Sequence, residues 1–148
     1  RLLKPGGRIF VRDCHPMLGT LVSASVTEAS DEHESHPFVS GPGARTPMVE
    51  FPYFEQSEPT VWNDALSYYG SEPVNNPLCV EWNHGLGEIV TALLDAGLTL
   101  TTLVEHDSVP WNALPGLMTE DADGEFRLVE RPERLAASFT IVATQSRG

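Results

Sequence analysis

Two short runs of titratable side chains each follow a predicted strand, where side chains of this kind could move protons or hold a substrate. The first run is Asp13, Cys14 and His15, and the second is Glu105, His106 and Asp107. In an open α/β sheet, ligands bind outside the carboxyl ends of the strands. The two runs therefore belong to one site if their strands run in the same direction.

Each of these residues also has a structural interpretation that the sequence leaves open. His15 is either a base that contacts the substrate or a strand-end side chain that is hydrogen-bonded to a loop. Asp13 is either a carboxylate of the site or an acceptor for neighbouring amides in a turn. Residues 105–107 are either a base with an orienting carboxylate or a solvated strand end. His84 either faces the substrate or belongs to a helix cap.

No metal site is predicted. The stretch 31–36 places His33 and His36 among acidic residues, but the spacing differs from His-Glu-x-x-His and no helical pattern surrounds it. An acidic solvated loop is the commoner structure for such a run. Cys14 and Cys79 are isolated from other ligand types, which favours buried thiols.

Aromatic residues are frequent in the loop-rich part of the chain. They either line a binding site for an apolar substrate or anchor the loops by burial. The aromatic residues in question are Tyr53, Phe54, Trp62, Tyr68, Tyr69, Trp82 and Trp111.

Composition restricts the classes of function. The chain has 148 residues, which suits one domain, and its net charge of −12 with nine basic residues argues against nucleic acid and anionic membrane surfaces as partners. No apolar run reaches the roughly 20 residues that span a bilayer. Two cysteines are too few for a disulfide framework, so we expect a cytoplasmic protein.

The elements that position these residues follow from hydrophobic periodicity. Arg8 to Asp13 is a short apolar run typical of a buried strand. From Leu86, apolar residues recur with helical spacing until Gly97, and the β-branched run 98–104 predicts a strand directly afterwards. Two further strands are predicted near the carboxyl end, over 125–130 and 138–144, joined across 131–134 as an antiparallel pair. A helix that leads directly into a strand is typical of an α/β fold.

We expect one partial domain over residues 1–148. Residues 1–16 would form a strand with its preceding turn, and residues 17–80 would form a long insertion over the substrate. Residues 81–148 would supply the last helix and the final strands. Because residues 1–7 have the pattern of a helix end without a helix body, we expect the chain to open partway through a fold.

Two segments carry a resemblance to a known family. The string Leu2-Leu3-Lys4-Pro5-Gly6-Gly7, followed by Arg8-Ile9-Phe10-Val11, resembles the segment that leads into the fifth strand of class I S-adenosylmethionine-dependent methyltransferases. The stretch from Glu81 to Asp107 is similar to the last helix and sixth strand of one bacterial branch, and Ala136 to Thr144 is similar to the seventh strand. The family's glycine-rich turn and its ribose-binding acidic residue have no counterpart here.

The resemblance implies the carboxyl-terminal portion of a Rossmann-like α/β sheet, with strands five to seven, an antiparallel last strand, one main helix and a long lid loop. The parent enzyme would methylate a small molecule, and this chain alone would neither bind S-adenosylmethionine nor turn over. The residues expected to serve catalysis are His15, His84 and His106. Asp13 and Cys14 are expected to contact the cofactor. The residues expected to contact the substrate are Tyr53, Tyr68, Tyr69, Trp82, Glu105 and Trp111.

Two other hypotheses remain open at this point. The chain could be a stand-alone acidic module that binds a small apolar ligand without catalysis. It could also form a homodimer, because an unpaired strand at a sheet edge is prone to association with another copy.

Overall fold

The computed structural model describes residues 3–25, 45–63 and 75–145. The strands are β1 (Arg8–Cys14), β2 (Leu21–Ser25), β3 (Arg45–Val49), β4 (Thr60–Asn63), β5 (Leu78–Glu81), β6 (Leu98–His106), β7 (Met118–Glu120), β8 (Phe126–Leu128) and β9 (Ser138–Gln145). The α-helix of the described part is α1 (Leu86–Asp95), and 3₁₀ turns cover Leu18–Thr20 and Pro132–Arg134.

A three-stranded sheet with the order β1-β9-β6 organises the fold. The central strand β9 is antiparallel to both neighbours, so β1 and β6 run in the same direction. Successive side chains of β9 point to opposite faces, and one of these sets, Phe139, Ile141 and Ala143, is buried. The described part also contains three two-stranded antiparallel sheets, β2-β3, β4-β5 and β7-β8.

The predicted Rossmann-like α/β fold is wrong. Within the described residues all strand pairs are antiparallel, the sheets are small, and a single short helix accompanies them. Hydrophobic period specifies the type of an element but not its pairing partner, and the pattern of helix followed by strand at 86–106 therefore suited several architectures. The expected antiparallel last strand is present, since β9 is antiparallel to both β1 and β6, but no parallel pair accompanies it among the described strands.

Several local predictions are confirmed and others are corrected. The helix at 86–95 and the strand that follows it are present. β1 is present, but it is an edge strand, with Phe10 65% exposed, and not a buried one. β8 pairs with β7 and not with β9, because the turn at Asp121–Gly124 returns the chain onto β7.

The segment that joins β6 to β9 supplies most of the hydrophobic core. Backbone bonds in both directions between Val109 and Phe126 close this segment on itself. The core residues are Leu18, Val109, Leu114, Met118, Leu128, Leu135 and Ala137. The core therefore supports the carboxyl ends of β1 and β6, where the titratable runs lie.

No helix of the described ranges has the length and hydropathy needed to cross a bilayer.

Candidate functional site

The register of the central sheet brings the two titratable runs together. Cys14 and His106 both lie opposite Ser138 of β9, while Asp13 and Glu105 both lie opposite Phe139. Because directly opposed residues share a face of the sheet, Asp13 and Glu105 lie on one face, and Cys14 and His106 on the other. The condition set by the sequence, that β1 and β6 run in the same direction, is met.

His15 and Glu105 form the closest contact between the two runs. Nε2 of the buried His15 lies 3.0 Å from Oε1 of Glu105, whose side chain is 53% exposed. Among the described residues Nε2 has no aligned hydrogen bond, since the carboxylate oxygen lies off the N–H direction. On the other side of the ring, the Met17 amide donates to Nδ1 at 3.0 Å. The neutral imidazole therefore carries its proton on Nε2, the nitrogen nearer to the carboxylate.

This tautomer gives His15 and Glu105 different acid–base roles. Nδ1 of His15 already accepts the Met17 amide, so the ring acts as a base only if that bond opens. The Glu105 carboxylate is open to solvent and is held beside a proton donor. Of this pair, Glu105 is the group better placed to accept a proton from an incoming substrate.

A shallow cavity of about 140 Å³ lies at the same end of the sheet. Its walls are Arg12, Asp13, Cys14, Pro110, Trp111 and Ser138. The structure thus brings Asp13, Cys14 and Trp111 together. Oδ1 of Asp13 accepts the Cys14 amide at 2.7 Å, as a turn acceptor does, while Ser138 donates its hydroxyl to the Ser108 carbonyl at 2.6 Å.

Charged pairs attach the β7-β8 hairpin to this end of the sheet. Arg12 donates to Glu125 at 2.8 Å, and this hydrogen bond lowers the pKa of the Glu125 carboxyl. Arg127 bridges Asp107, at 3.1 Å, and Asp121. Asp107 therefore holds structure and is not free for chemistry. Neither arginine could be predicted from the sequence, because their partners lie far away along the chain.

His106 has a partner within the sheet. Its Nε2 lies 2.8 Å from the hydroxyl of Thr140 on β9, and the ring is half-buried. This hydrogen bond holds the imidazole against the central strand, on the same face as Cys14.

Cys14 is a thiol that resists ionisation. Burial is the largest cause, with the charges of Asp13 and Glu81 adding to it, and together they raise the pKa of Cys14 from 9.0 to about 11. A thiolate is the reactive form of cysteine, so Cys14 is a poor nucleophile at neutral pH. It serves as an apolar wall of the cavity.

This raised pKa predicts alkaline destabilisation. Between pH 9.0 and about 11 the unfolded chain ionises Cys14 while the folded chain keeps it protonated, so the free energy of unfolding falls as pH rises. Cys14→Ala should show a shallower fall over that interval than the parent chain. Urea unfolding at a series of pH values measures both slopes, and equal slopes would contradict the assignment.

The remaining predicted residues fall into two groups. His84 and Tyr53 lie together at the start of α1, where the Tyr53 hydroxyl accepts the Leu86 amide at 3.1 Å. Nδ1 of His84 lies 3.3 Å from Glu88 and 3.9 Å from Glu55. Trp82 is 47% exposed. Tyr68 and Tyr69 lie outside the described residues.

Asn83 connects this second region to the sheet end. Its amide donates to the carbonyls of Pro16 and Pro52, each at 3.0 Å, and so attaches the start of α1 to the loop after β1. Asn83 was not among the predicted residues, although an asparagine just before a helix is a common partner for loop backbone.

Comparison with family models, with curated proteins and with solved structures finds no match for this chain.

Proposed function

We propose that this chain forms the acceptor-side portion of an S-adenosylmethionine-dependent methyltransferase that acts on a small molecule in the cytoplasm. The observation that carries the proposal is the meeting of His15 with Glu105 at the end of the sheet. The cavity lined by Asp13, Cys14 and Trp111 lies at the same end, on the side of the sheet that Cys14 occupies. The resemblance of residues 2–11 and 81–107 to segments of that enzyme class also motivates it. The proposal does not rest on a Rossmann-like sheet.

In this proposal the residues position the acceptor and remove one proton from it. S-adenosylmethionine supplies an activated methyl group, and the transfer is a displacement in which the enzyme positions the acceptor. Glu105 would take the proton that the acceptor releases, and the nearby imidazole of His15 would position the carboxylate. Trp111 and the Cys14 thiol would contact an apolar part of the acceptor that extends beyond Glu105 into the cavity.

This cavity suits an acceptor and not the donor. Sites for drug-sized ligands measure roughly 300–1,000 Å³, whereas the cavity here measures about 140 Å³. A small acceptor or one end of a larger one fits that space. In this proposal the donor is held by a part of the enzyme outside this chain.

Two measurements test the proposal. Calorimetry of the isolated chain with S-adenosylmethionine should show no binding, and micromolar binding would contradict the placement of the donor site. In the complete enzyme that the proposal requires, transfer of labelled methyl groups from S-adenosylmethionine to small molecules should occur. Glu105→Gln should lower kcat by about 10²–10⁴-fold, the usual contribution of a positioned base.

A matched variant controls for the loss of charge. Glu120 is exposed on β7, and Glu120→Gln should leave kcat unchanged. Absence of methyl transfer by the complete enzyme, or equal effects of the two substitutions, would refute the proposal.

The second candidate is a binding module without catalysis. It is favoured by a core whose members, such as Val109, Leu114 and Ile141, are almost wholly buried within this chain, as a self-standing domain requires. Such a module would bind an apolar ligand in the isolated chain, with a rise in melting temperature. The acceptor-side portion should show no such response without the donor.

A further inference from the structure

The start of α1 gathers three metal-ligating side chains from two separate segments. Glu55 comes from the loop between β3 and β4, His84 precedes the helix, and Glu88 lies in its first turn. One ligand atom from each lies within 4.8 Å of the other two. We propose that Glu55, His84 and Glu88 bind a divalent transition-metal ion of the Zn²⁺ type.

The separations between the ligand atoms fit such an ion. Zinc binds imidazole nitrogen and carboxylate oxygen at about 2.0–2.2 Å, so two ligands of a tetrahedral site lie about 3.4 Å apart. Nδ1 of His84 lies 3.3 Å from Oε1 of Glu88 and 3.9 Å from Oε2 of Glu55. Small rotations of the exposed glutamate side chains complete the geometry.

The backbone on both sides of the site is already anchored. Tyr53 accepts the Leu86 amide, and Asn83 donates to the Pro52 carbonyl, so the loop that carries Glu55 is attached to the helix start. Gly85 allows this approach, since a Cβ there would lie 2.8 Å from the Tyr53 ring. Binding therefore demands little ordering of the chain, which favours affinity.

The ligand set also selects the ion. Mg²⁺ and Ca²⁺ prefer oxygen ligands alone, whereas an imidazole with two carboxylates suits Zn²⁺ and its neighbours among the transition metals. Three protein ligands leave a fourth position for water, as in zinc sites that do chemistry. The two carboxylates both lie beside His84, and a divalent ion would neutralise them both.

Calorimetric titration of the untagged chain with ZnCl₂ tests the proposal. We expect one equivalent bound with micromolar affinity, unaffected by excess Mg²⁺. Loss of a residue that merely supports a metal ligand costs about 10–100-fold in affinity, so His84→Ala should weaken binding at least about tenfold. Glu55→Gln and Glu88→Gln should each weaken it as well.

Three control variants address other sources of zinc affinity. Glu58→Gln removes a charge from the same exposed loop and should leave affinity unchanged. Cys79→Ser removes an exposed thiol, and the double variant His33→Ala with His36→Ala removes the other histidine pair in acidic sequence. Both should bind as the parent chain does.

The folded state provides a second readout. Zinc should raise the melting temperature of the parent chain but not of His84→Ala, since a ligand of the folded state stabilises it. Circular dichroism checks that His84→Ala is folded. Absence of zinc binding by the parent chain would overturn the proposal. So would loss of binding in Cys79→Ser or in the double histidine variant, with binding retained in His84→Ala. The outcome does not depend on methyl transfer.

Discussion

Replacement of Ile141 by alanine should lower the free energy of unfolding by about 2–5 kcal/mol, the range for removing a large aliphatic side chain from a core. Ile141 is fully buried in the central strand β9, opposite Val11 of β1 and Leu103 of β6. The substitution leaves a void on the face of the sheet that Phe139 and Ala143 also bury. Urea unfolding followed by tryptophan fluorescence measures the change.

Val129→Ala is the matched control for that experiment. Val129 is 63% exposed and lies just after β8. Its truncation should change the free energy of unfolding by less than about 0.5 kcal/mol, as is usual for surface positions. A loss at Ile141 no larger than the loss at Val129 would contradict the placement of β9 at the centre of the sheet.

Gly85→Ala should destabilise the chain by about 1–3 kcal/mol, the usual cost of overpacking. The backbone of Gly85 is extended and accepts any residue, so the cost is steric. The new methyl group would lie 2.8 Å from Cε1 of Tyr53. To relieve that clash the ring must move, and the hydrogen bond between the Tyr53 hydroxyl and the Leu86 amide would be lost.

Substitution of Gly87, two residues later, should change the stability in the opposite direction. Apart from the backbone of its own helix, a Cβ at Gly87 would meet no atom of the described residues within 4 Å, and the residue lies inside α1. Gly87→Ala should therefore stabilise the chain by about 0.5–1 kcal/mol through helix propensity. Thermal unfolding of both variants measures the contrast, and the same sign at both positions would refute the packing of Tyr53 against the helix start.

The elements of this fold could be predicted where one periodic pattern ran uninterrupted. Leu86, Ile89, Val90 and Leu93 recur at helical spacing, and α1 is observed at Leu86–Asp95. Pairing could not be predicted in the same way, because the apolar alternation of a strand is the same in parallel and antiparallel ladders. The α/β architecture inferred from the helix and β6 was wrong for that reason.

The same limit applies to the core and to the candidate site. Leu114 and Leu135 lie in irregular segments without a period, so no pattern marks them as core residues. The approach of Glu105 to His15 required only that β6 and β1 share a direction, which the sequence could state as a condition. The contact of Glu55 with His84 joins a loop to a helix start, and no local pattern connects them.

The position of β9 sets the order in which the molecule can assemble during translation. β1 and β6 emerge from the ribosome before their shared partner exists, because that partner is residues 138–145. Until then their backbone amides and the apolar side chains beside them are unpaired on the nascent chain. Closure of such distant pairings is slow. We therefore expect the central sheet to form after synthesis of β9, with the unpaired strands exposed to chaperones and to aggregation in the interval.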